Sequence, residues 1–247
     1  MMRSKKIRIK HLRVTTLFIL FLFVVIAFLS NRTLIFFFKD KIWAHKVNSI
    51  EKLVEANKLL SGVELDVVFY AKANYFDVNH PPDKSLNLSL AEYFQFPINN
   101  SNYKYWIDFK NLNEDNELQS LVRLDSITNV FNINKSNVIV ESVSPQFLKS
   151  FQDKGFLTSC YLPSRLHALN EDSLKVVIEL INKDLITYES FYISMDYKDY
   201  HIVKKHFPDK KKLCWFTTYG LMNKITARIL LYEILLDDDV DVLLIPF

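Results

Sequence analysis

Eight short apolar runs, separated by longer and more polar stretches, constrain the fold of this chain most strongly. They have the length and composition of β-strands and lie at residues 41–45, 63–70, 105–110, 138–143, 158–163, 191–196, 213–218 and 240–246. Strands that helices cover on both faces read as continuous apolar runs, and most of these runs are of that kind. Strands that alternate with helices form a parallel sheet. The pattern predicts an α/β fold, a (β/α)8 TIM barrel over residues 41–247.

The stretches between the runs carry helical patterns, at residues 49–60, 146–154, 170–185 and 221–236. Pro145 and Gly155 stand at the start and end of the second stretch, as is typical of helix boundaries. After the second run, a hairpin-like excursion ends at His80. An open doubly wound sheet is the alternative fold. It is less favoured because the chain has only three glycines and lacks a Gly-rich turn after its first strand.

The N-terminal segment predicts a membrane anchor. The first 13 residues carry six Lys and Arg and no acid, and residues 14–31 carry no charge. We expect a basic cytoplasmic tail at 1–13 and a transmembrane helix within 14–38, since about 20 apolar residues span a bilayer. Residues 34–38 either lengthen this helix or lie at the membrane interface. A cleaved signal peptide is the alternative, although 27–30 make a poor cleavage site.

The charge distribution bears on location and partners. The excess of basic residues in the tail predicts a cytoplasmic N-terminus and a barrel on the extracytoplasmic side, the cell envelope or periplasm in a bacterium. The chain has a net charge of +3, so the remainder is acidic without the tail. We therefore expect a membrane partner and no nucleic-acid partner.

Ionisable side chains interrupt the apolar runs near the ends where a barrel builds its active site. They concentrate in the first half of the pattern and comprise His45, Glu64, Asp66, His80, Asp108, Lys110 and Glu141. Residues i and i+2 of a strand share a face, so Glu64 and Asp66 point the same way, as do Asp108 and Lys110. Burying such charges without partners is costly, so we expect them to converge on a ligand or metal.

The chemistry available to this set is metal-assisted cleavage of a phosphodiester. Glu64, Asp66 and Asp108 form a hard oxygen site suited to Mg²⁺ or Ca²⁺. Histidines beside such a site suit proton transfer near neutral pH, and Lys110 suits contact with a phosphate oxygen. A glycoside hydrolase on the same barrel needs only two carboxylates and gives the histidines and the lysine no role.

Four motifs resemble the phospholipase-C-like phosphodiesterase superfamily, which includes the glycerophosphodiester phosphodiesterases and sphingomyelinase D. They are residues 43–49 (WAHKVNS), 63–67 (VELDV), 79–83 (NHPPD) and 106–110 (WIDFK). The menorin branch is the most similar. Weaker similarities are Glu141-Ser142, Trp215 and residues 239–246. One departure is that the usual H-R-G is here His45-Lys46-Val47, which leaves the substrate open.

The resemblance implies a metal-dependent phosphodiesterase that cleaves a phosphodiester lipid or head group, and the N-terminal segment predicts that it is membrane-anchored. It implies that His45 and His80 are the acid/base pair and that Glu64, Asp66 and Asp108 hold a divalent cation, Mg²⁺ or Ca²⁺. In relatives, a neighbouring substrate hydroxyl attacks phosphorus to give a cyclic product or intermediate. The candidate substrate contacts are Lys110, Glu141, Trp215, Asn48 and Arg165, although a solvated loop charge is the favoured interpretation of Arg165. A non-catalytic ligand-binding barrel of the menorin type is the alternative function.

Overall fold

Eight parallel strands close into a barrel in the computed structural model of this chain, which describes residues 2–96, 98, 102–188, 192–216 and 225–247, with side chains from residue 15 onward. The barrel strands are β1 Ile42–His45, β2 Gly62–Tyr70, β4 Lys104–Phe109, β5 Val138–Ser142, β6 Leu157–Tyr161, β7 Tyr192–Asp196, β8 Lys211–Trp215 and β9 Val240–Pro246. Their order around the barrel follows the chain, and β1 closes the ring by pairing with both β2 and β9. The predicted TIM barrel is confirmed. Of the predicted strand residues, 191, 217 and 218 lie outside the described residues.

A hairpin extends one side of the barrel above its carboxyl end. Strand β2 is nine residues long, and its last four pair antiparallel with β3, Tyr75–Val78. This hairpin is the excursion that the sequence indicated. It returns the chain to the barrel mouth, where the Asn79 N–H donates to the Asp66 carbonyl at 3.0 Å. The residue that follows, His80, is thereby brought close to the carboxyl end of β2.

Helices cover the outside of the barrel. Their bounds are α1 Met2–Leu29, α2 Asn31–Phe37, α3 Ile50–Leu59, α4 Leu90–Gln95, α5 Glu117–Val130, α6 Lys149–Asp153, α7 Glu171–Tyr188, α8 Tyr200–His206 and α9 Ile225–Leu236. The predicted helices correspond to α3, α6, α7 and α9, and residues 221–224 of the last lie outside the described part. Helix α5 escaped prediction because apolar Leu118, Val122 and Val130 are exposed on its outer face and blur the amphipathic pattern.

The N-terminal segment is two helices rather than one. Among the described residues, no single helix is both long and apolar enough to span a membrane, whereas Thr15–Leu29 and Asn31–Phe37 together meet those criteria with a bend of 74° between them. The bend lies at Ser30, whose hydroxyl caps α2 by accepting from the Thr33 N–H at 3.3 Å. Leu34 of α2 is fully buried in the core. The last part of the predicted segment 14–38 is thus a separate helix that packs on the barrel, and the membrane anchor stays a prediction.

Large side chains fill the lower half of the barrel interior. Trp43, Trp106, Ile139, Tyr192, Leu213, Val242 and Leu244 form a cluster separate from the core beneath the helices. Gly62, at the start of β2, leaves room for the Trp43 indole, because a Cβ at this position would lie 2.5 Å from a ring carbon. Because apolar side chains fill the lower half of the barrel, a polar site has room only at the carboxyl ends of the strands.

Replacing Gly62 with alanine is expected to destabilise the protein by about 1–3 kcal/mol, the usual cost of overpacking a filled core. The Trp43 ring is 1% exposed within the cluster, and its Nε1–H donates to the Asp40 carbonyl at 3.2 Å, so moving it away from a new Cβ would disturb both. Chemical denaturation followed by tryptophan fluorescence would measure the change. Gly155→Ala tests a different cause, because its φ of +97° strains any side chain while the nearest atom is 3.9 Å away. Unchanged stability of Gly62→Ala would contradict the tight contact.

Candidate active site

A cavity of about 350 Å³ opens at the carboxyl ends of the barrel strands. One side of its wall is polar and the other is apolar. The lining residues are His45, Lys46, Glu64, Asp66, His80, Trp106, Asp108, Phe109, Lys110, Glu141, Val143, Tyr161, Trp215 and Leu244. Both predicted histidines, all three predicted metal ligands and three of the predicted substrate contacts thus line one cavity.

Three carboxylates meet on the polar side. Asp66 of β2 pairs in register with Asp108 of β4, and Glu64 lies two residues before Asp66 on the same face. One oxygen from each of the three carboxylates lies within 4.8 Å of the others. Glu64 and Asp66 are buried, and Asp108 is half-buried. The i, i+2 pattern in the strands therefore produces one compact acidic cluster.

Lys110 lies between two of these carboxylates. Its Nζ is 2.7 Å from Asp66 Oδ1 and also donates to Asp108 Oδ2. The lysine follows the last residue of β4, and its N–H donates to the Val67 carbonyl, which fixes the backbone at the mouth. Burial alone lowers the pKa of Lys110, but Asp108 and Asp66 outweigh burial and raise it. The ammonium group therefore stays charged beside the cluster.

Mutual repulsion and burial favour protonation of the cluster. Burial first, and then the charges of Asp66 and Asp108, raise the pKa of Glu64 well above its usual range. Burial likewise raises the pKa of Asp108, although Lys110 opposes the rise. The Lys46 N–H donates to Glu64 Oε2 at 2.7 Å and holds that carboxyl in place. The pKa values of Glu64 and Asp108 stay raised even though Lys110 is close by. The positive charge of Lys110 is therefore too small to balance the three carboxylates.

The two histidines approach the cluster from different segments, one at the end of a strand and one after the hairpin. His45 ends β1, and its Nε2 is 3.6 Å from Glu64 Oε2. Burial first, and then the nearby charge of Lys46, lower the pKa of His45 to about 4. Its imidazole is therefore neutral near pH 7 and free to accept a proton. His80 reaches the cavity from the β3 side and lies close enough to Asp108 to oppose the rise in that residue's pKa.

The opposite wall combines a buried carboxyl with stacked aromatic rings. Glu141 of β5 is 2% exposed and accepts from the Ser159 hydroxyl at 2.7 Å. Burial and then the charge of Asp108 raise the pKa of Glu141 to about 8. Tyr161 stacks on Trp215 with ring centroids 6.0 Å apart. Tyr161 and Ser159 were not predicted, although their inward-facing i, i+2 spacing near the end of β6 is a signal that could have found them.

Two predicted substrate contacts lie outside the lining of the cavity. Asn48 lies behind Asp66, where its Oδ1 accepts from the Asp66 N–H at 2.9 Å and its Nδ2 donates to Asp66 Oδ2 at 2.7 Å. This double hydrogen bond makes Asn48 a positioning residue for a candidate metal ligand. Arg165 is exposed in the loop after β6, with a φ of +68°. Its exposed position agrees with the solvated loop charge that the sequence favoured.

Replacing Asn48 with alanine is expected to weaken divalent-metal binding by roughly 10–100-fold, as loss of a group that orients a ligand does. The Asp66 carboxylate would lose one donor and its N–H would lose its acceptor. Calorimetric titration with Mg²⁺, Ca²⁺ and Mn²⁺ would measure the change. A raised KM for substrate with unchanged metal affinity would instead support the original assignment of Asn48 to substrate contact.

The donor set fits a divalent cation. When all three carboxylates are ionised, Lys110 neutralises only one of their charges, and the cluster keeps a deficit that a divalent cation matches. Oxygen donors suit hard cations such as Mg²⁺ and Ca²⁺. Burial, and then the charges of Asp66 and Asp108, raise the pKa of Glu64, as is expected for neighbouring buried carboxylates without a cation.

Solved structures of glycerophosphodiester phosphodiesterases are similar to this chain. One from Parabacteroides distasonis has a TM-score of 0.57 at 15% identity and covers 83% of this chain and 93% of its own. A phosphodiesterase from Oleispira antarctica, in complex with the product sn-glycerol-3-phosphate, has a TM-score of 0.57 at 11% identity and covers 84% and 94%. One from Thermotoga maritima has a TM-score of 0.50 at 15% identity and covers 82% and 92%.

These similarities concern the fold. No protein-family model matches this chain, and no curated protein matches it significantly in sequence. The chain has the barrel fold of the glycerophosphodiester phosphodiesterases, which confirms the fold that the resemblance implied. The more specific similarity to the menorin branch stays a prediction.

Proposed function

We propose that this protein is a metal-dependent phosphodiesterase of the glycerophosphodiester phosphodiesterase type. The observation that carries the proposal is the cluster of Glu64, Asp66 and Asp108 with Lys110, flanked by two histidines in one cavity. The fold shared with phosphodiesterases supports it. The substrate class is a phosphodiester lipid or its head group, and the product sn-glycerol-3-phosphate seen in the Oleispira antarctica protein is consistent with a small substrate.

Each group in the wall has a role in this proposal. His45, neutral because of its low pKa, accepts the proton of the attacking hydroxyl. His80, across the cluster, donates a proton to the leaving oxygen. Lys110 stabilises the negative charge that grows on the phosphoryl oxygens. The apolar wall of Tyr161 and Trp215 excludes water from the side of the cavity opposite the acids.

Glu64, Asp66 and Asp108 would hold the cation, with Mg²⁺ or Ca²⁺ as the candidates. A bound divalent cation polarises phosphoryl oxygens and orients the substrate. Asn48 and the Lys46 N–H would keep two of the three carboxylates in position. Lys110, which bonds to Asp66 and Asp108, would then share these two carboxylates with the cation.

Metal binding is expected to release protons and to tighten as pH rises. Burial and the neighbouring carboxylates raise the pKa of Glu64, so its carboxyl holds a proton more firmly, and a cation competes with that proton. Calorimetry at about pH 6 and about pH 8, in two buffers of different ionisation enthalpy, would count the protons released. The acid limb of the activity profile should move to lower pH as metal concentration increases. Affinity independent of pH would contradict the assignment of Glu64 as a ligand.

The direct test is hydrolysis of an aryl phosphodiester and of glycerophosphodiesters with Mg²⁺, Ca²⁺ or Mn²⁺. The full chain in detergent is the suitable material, since Leu34 of the N-terminal segment belongs to the core. Turnover that depends on metal would support the proposal. Metal binding without turnover of either substrate would favour the non-catalytic barrel, and absence of both would contradict the metal site.

The proposal includes the membrane anchor. Residues 14–29 are apolar or uncharged and follow a basic tail, which supports a cytoplasmic N-terminus and a barrel on the extracytoplasmic side. An anchor of this kind would hold the cavity near a lipid-derived substrate. Protease protection of the barrel in sealed spheroplasts or vesicles, compared with that of an N-terminal tag, would test the orientation.

A further inference from the structure

The N-terminal helix has an apolar surface that the barrel leaves uncovered. Every side chain of residues 17–24 is apolar and between 48% and 68% exposed. A helix that is apolar on all sides is normally surrounded by protein or by lipid. The barrel residues Arg228 and Tyr232 contact the last residues of this helix, Phe28 and Leu29. Residues 17–24 are left exposed and need another covering.

The end of this helix is fixed to the barrel by a buried arginine. Arg228 of α9 is fully buried, and its guanidinium donates to the carbonyls of Phe28 and Leu29 and to Asn31 Oδ1. The last carbonyls of a helix lack partners within the helix, and a cation there is favourable. Removing α1 would take away two of the three acceptors of this buried charge. The junction therefore favours an α1 that is retained in the folded protein over a cleaved signal.

A second residue of α9 completes the junction. The Tyr232 hydroxyl donates to the Phe28 carbonyl at 3.3 Å, and its ring stacks on Phe28 with centroids 4.9 Å apart. Phe38 contacts the same ring from the far end of α2. The turn between α1 and α2 is thus held against one face of α9, which fixes the direction in which α1 leaves the barrel.

That face of α9 carries an exposed apolar stripe. Ile225, Ile229 and Leu236 are 64%, 56% and 69% exposed. Their spacing, with Tyr232 between them, places them on one side of a helix. Because Tyr232 also contacts Phe28, the stripe continues directly into the base of α1.

Helix α2 adds aromatic side chains to the same region. It turns by 74° from α1, so it lies close to the membrane plane if α1 crosses the bilayer. Leu34 faces the core, whereas Phe36 and Phe37 are 78% and 71% exposed. Aromatic residues are favoured at the membrane interface, where short apolar faces insert beside the head groups.

We propose that α1, α2 and the exposed stripe of α9 form one surface that contacts a phospholipid bilayer and holds the barrel against it in a fixed orientation. This inference rests on the proposed anchor and adds that the barrel is docked rather than loosely tethered. Lipid is favoured over a protein partner because the surface begins at a helix that is apolar all round. The basic residues at the far end of that helix suit anionic head groups.

Spin labels on the full chain in vesicles of phosphatidylcholine and phosphatidylglycerol test the inference. Single cysteines would replace Ile229 and Leu236 on α9, Phe23 on α1 and Val122 on α5. Val122 is a matched control, since it is 69% exposed, as Leu236 is, and α5 lies across the barrel from α9. The native Cys160 and Cys214 are buried. The chain without introduced cysteines, treated with the same spin label, would measure any background labelling of these two residues.

Labels at Phe23, Ile229 and Leu236 are expected to collide with oxygen dissolved in lipid and to be shielded from a water-soluble nickel complex. The label at Val122 should show the opposite. If the label at Phe23 is exposed to lipid while those at Ile229 and Leu236 are exposed to water, as at Val122, the docking is overturned and the anchor stands. If the label at Phe23 is exposed to water, the anchor and the docking are both overturned. Neither result depends on catalysis, so the phosphodiesterase proposal is tested separately.

Discussion

Replacement of His45 with glutamine is expected to lower kcat by about 10²–10⁴-fold, the contribution typical of a general acid or base. Glutamine has a similar reach and retains polar contact with Glu64, but it cannot accept and pass on a proton. The low pKa of His45, which results mainly from burial, makes the wild-type imidazole a neutral acceptor at pH 7. Steady-state kinetics with saturating metal would measure the loss. Metal affinity should stay close to that of the wild type.

The matched control for this variant is His201→Gln. His201 also lies 3.6 Å from a glutamate oxygen, that of Glu233, but both side chains are exposed on the outside of the barrel. Its replacement should leave kcat unchanged. Equal losses in the two variants would indicate a general effect on folding. Full activity of His45→Gln would contradict the proposed role of His45.

Replacement of Glu64 with glutamine is expected to reduce metal affinity by more than the roughly 10–100-fold that loss of an orienting group costs. The amide oxygen can still accept the Lys46 N–H, so the local hydrogen bond survives while the charge is removed. Turnover should fall with metal occupancy. Calorimetric titration with each metal, together with activity at high metal concentration, would measure both effects.

The same variant is expected to raise the stability of the metal-free protein at alkaline pH. Because the pKa of Glu64 is raised by folding, the wild type loses stability as pH rises above the ordinary glutamate value, and glutamine removes that loss. Thermal unfolding should show a gap in Tm that disappears below about pH 4. Glu55→Gln, in an exposed pair with Lys58, is the control and should show no such gap. A lower Tm for Glu64→Gln at high pH would contradict the raised pKa.

The strands and the acidic cluster were accessible from the sequence for a simple reason. Burial on both faces leaves a continuous apolar run, so the strands of a parallel barrel stand out. Glu64, Asp66, Asp108 and Lys110 are conspicuous within such runs, and the period of two places each pair on one face. Their convergence then follows from parallel neighbours in register.

Other features depended on packing that no local pattern shows. The role of Asn48 comes from its position behind Asp66, across a gap of 18 residues in the chain. The helix breaks at Ser30, and Leu34 of the following helix is buried against the barrel. A hydropathy pattern alone shows only an apolar segment and does not reveal this break. From its sequence context, Arg228 would be taken for an exposed charge on a helix. In the structure it is buried and donates to the carbonyls of Phe28 and Leu29, about 200 residues away in the chain.

The sequence by itself thus determined the barrel and the composition of its candidate site, because both depend on residue type and on spacing within single strands. Only the tertiary structure decided which side chains support that site from behind, how the first helix joins the barrel and which surface remains apolar and exposed. These features depend on contacts between segments far apart in the chain. Such contacts are set by the closure of the whole barrel and leave no periodic signal in any one segment.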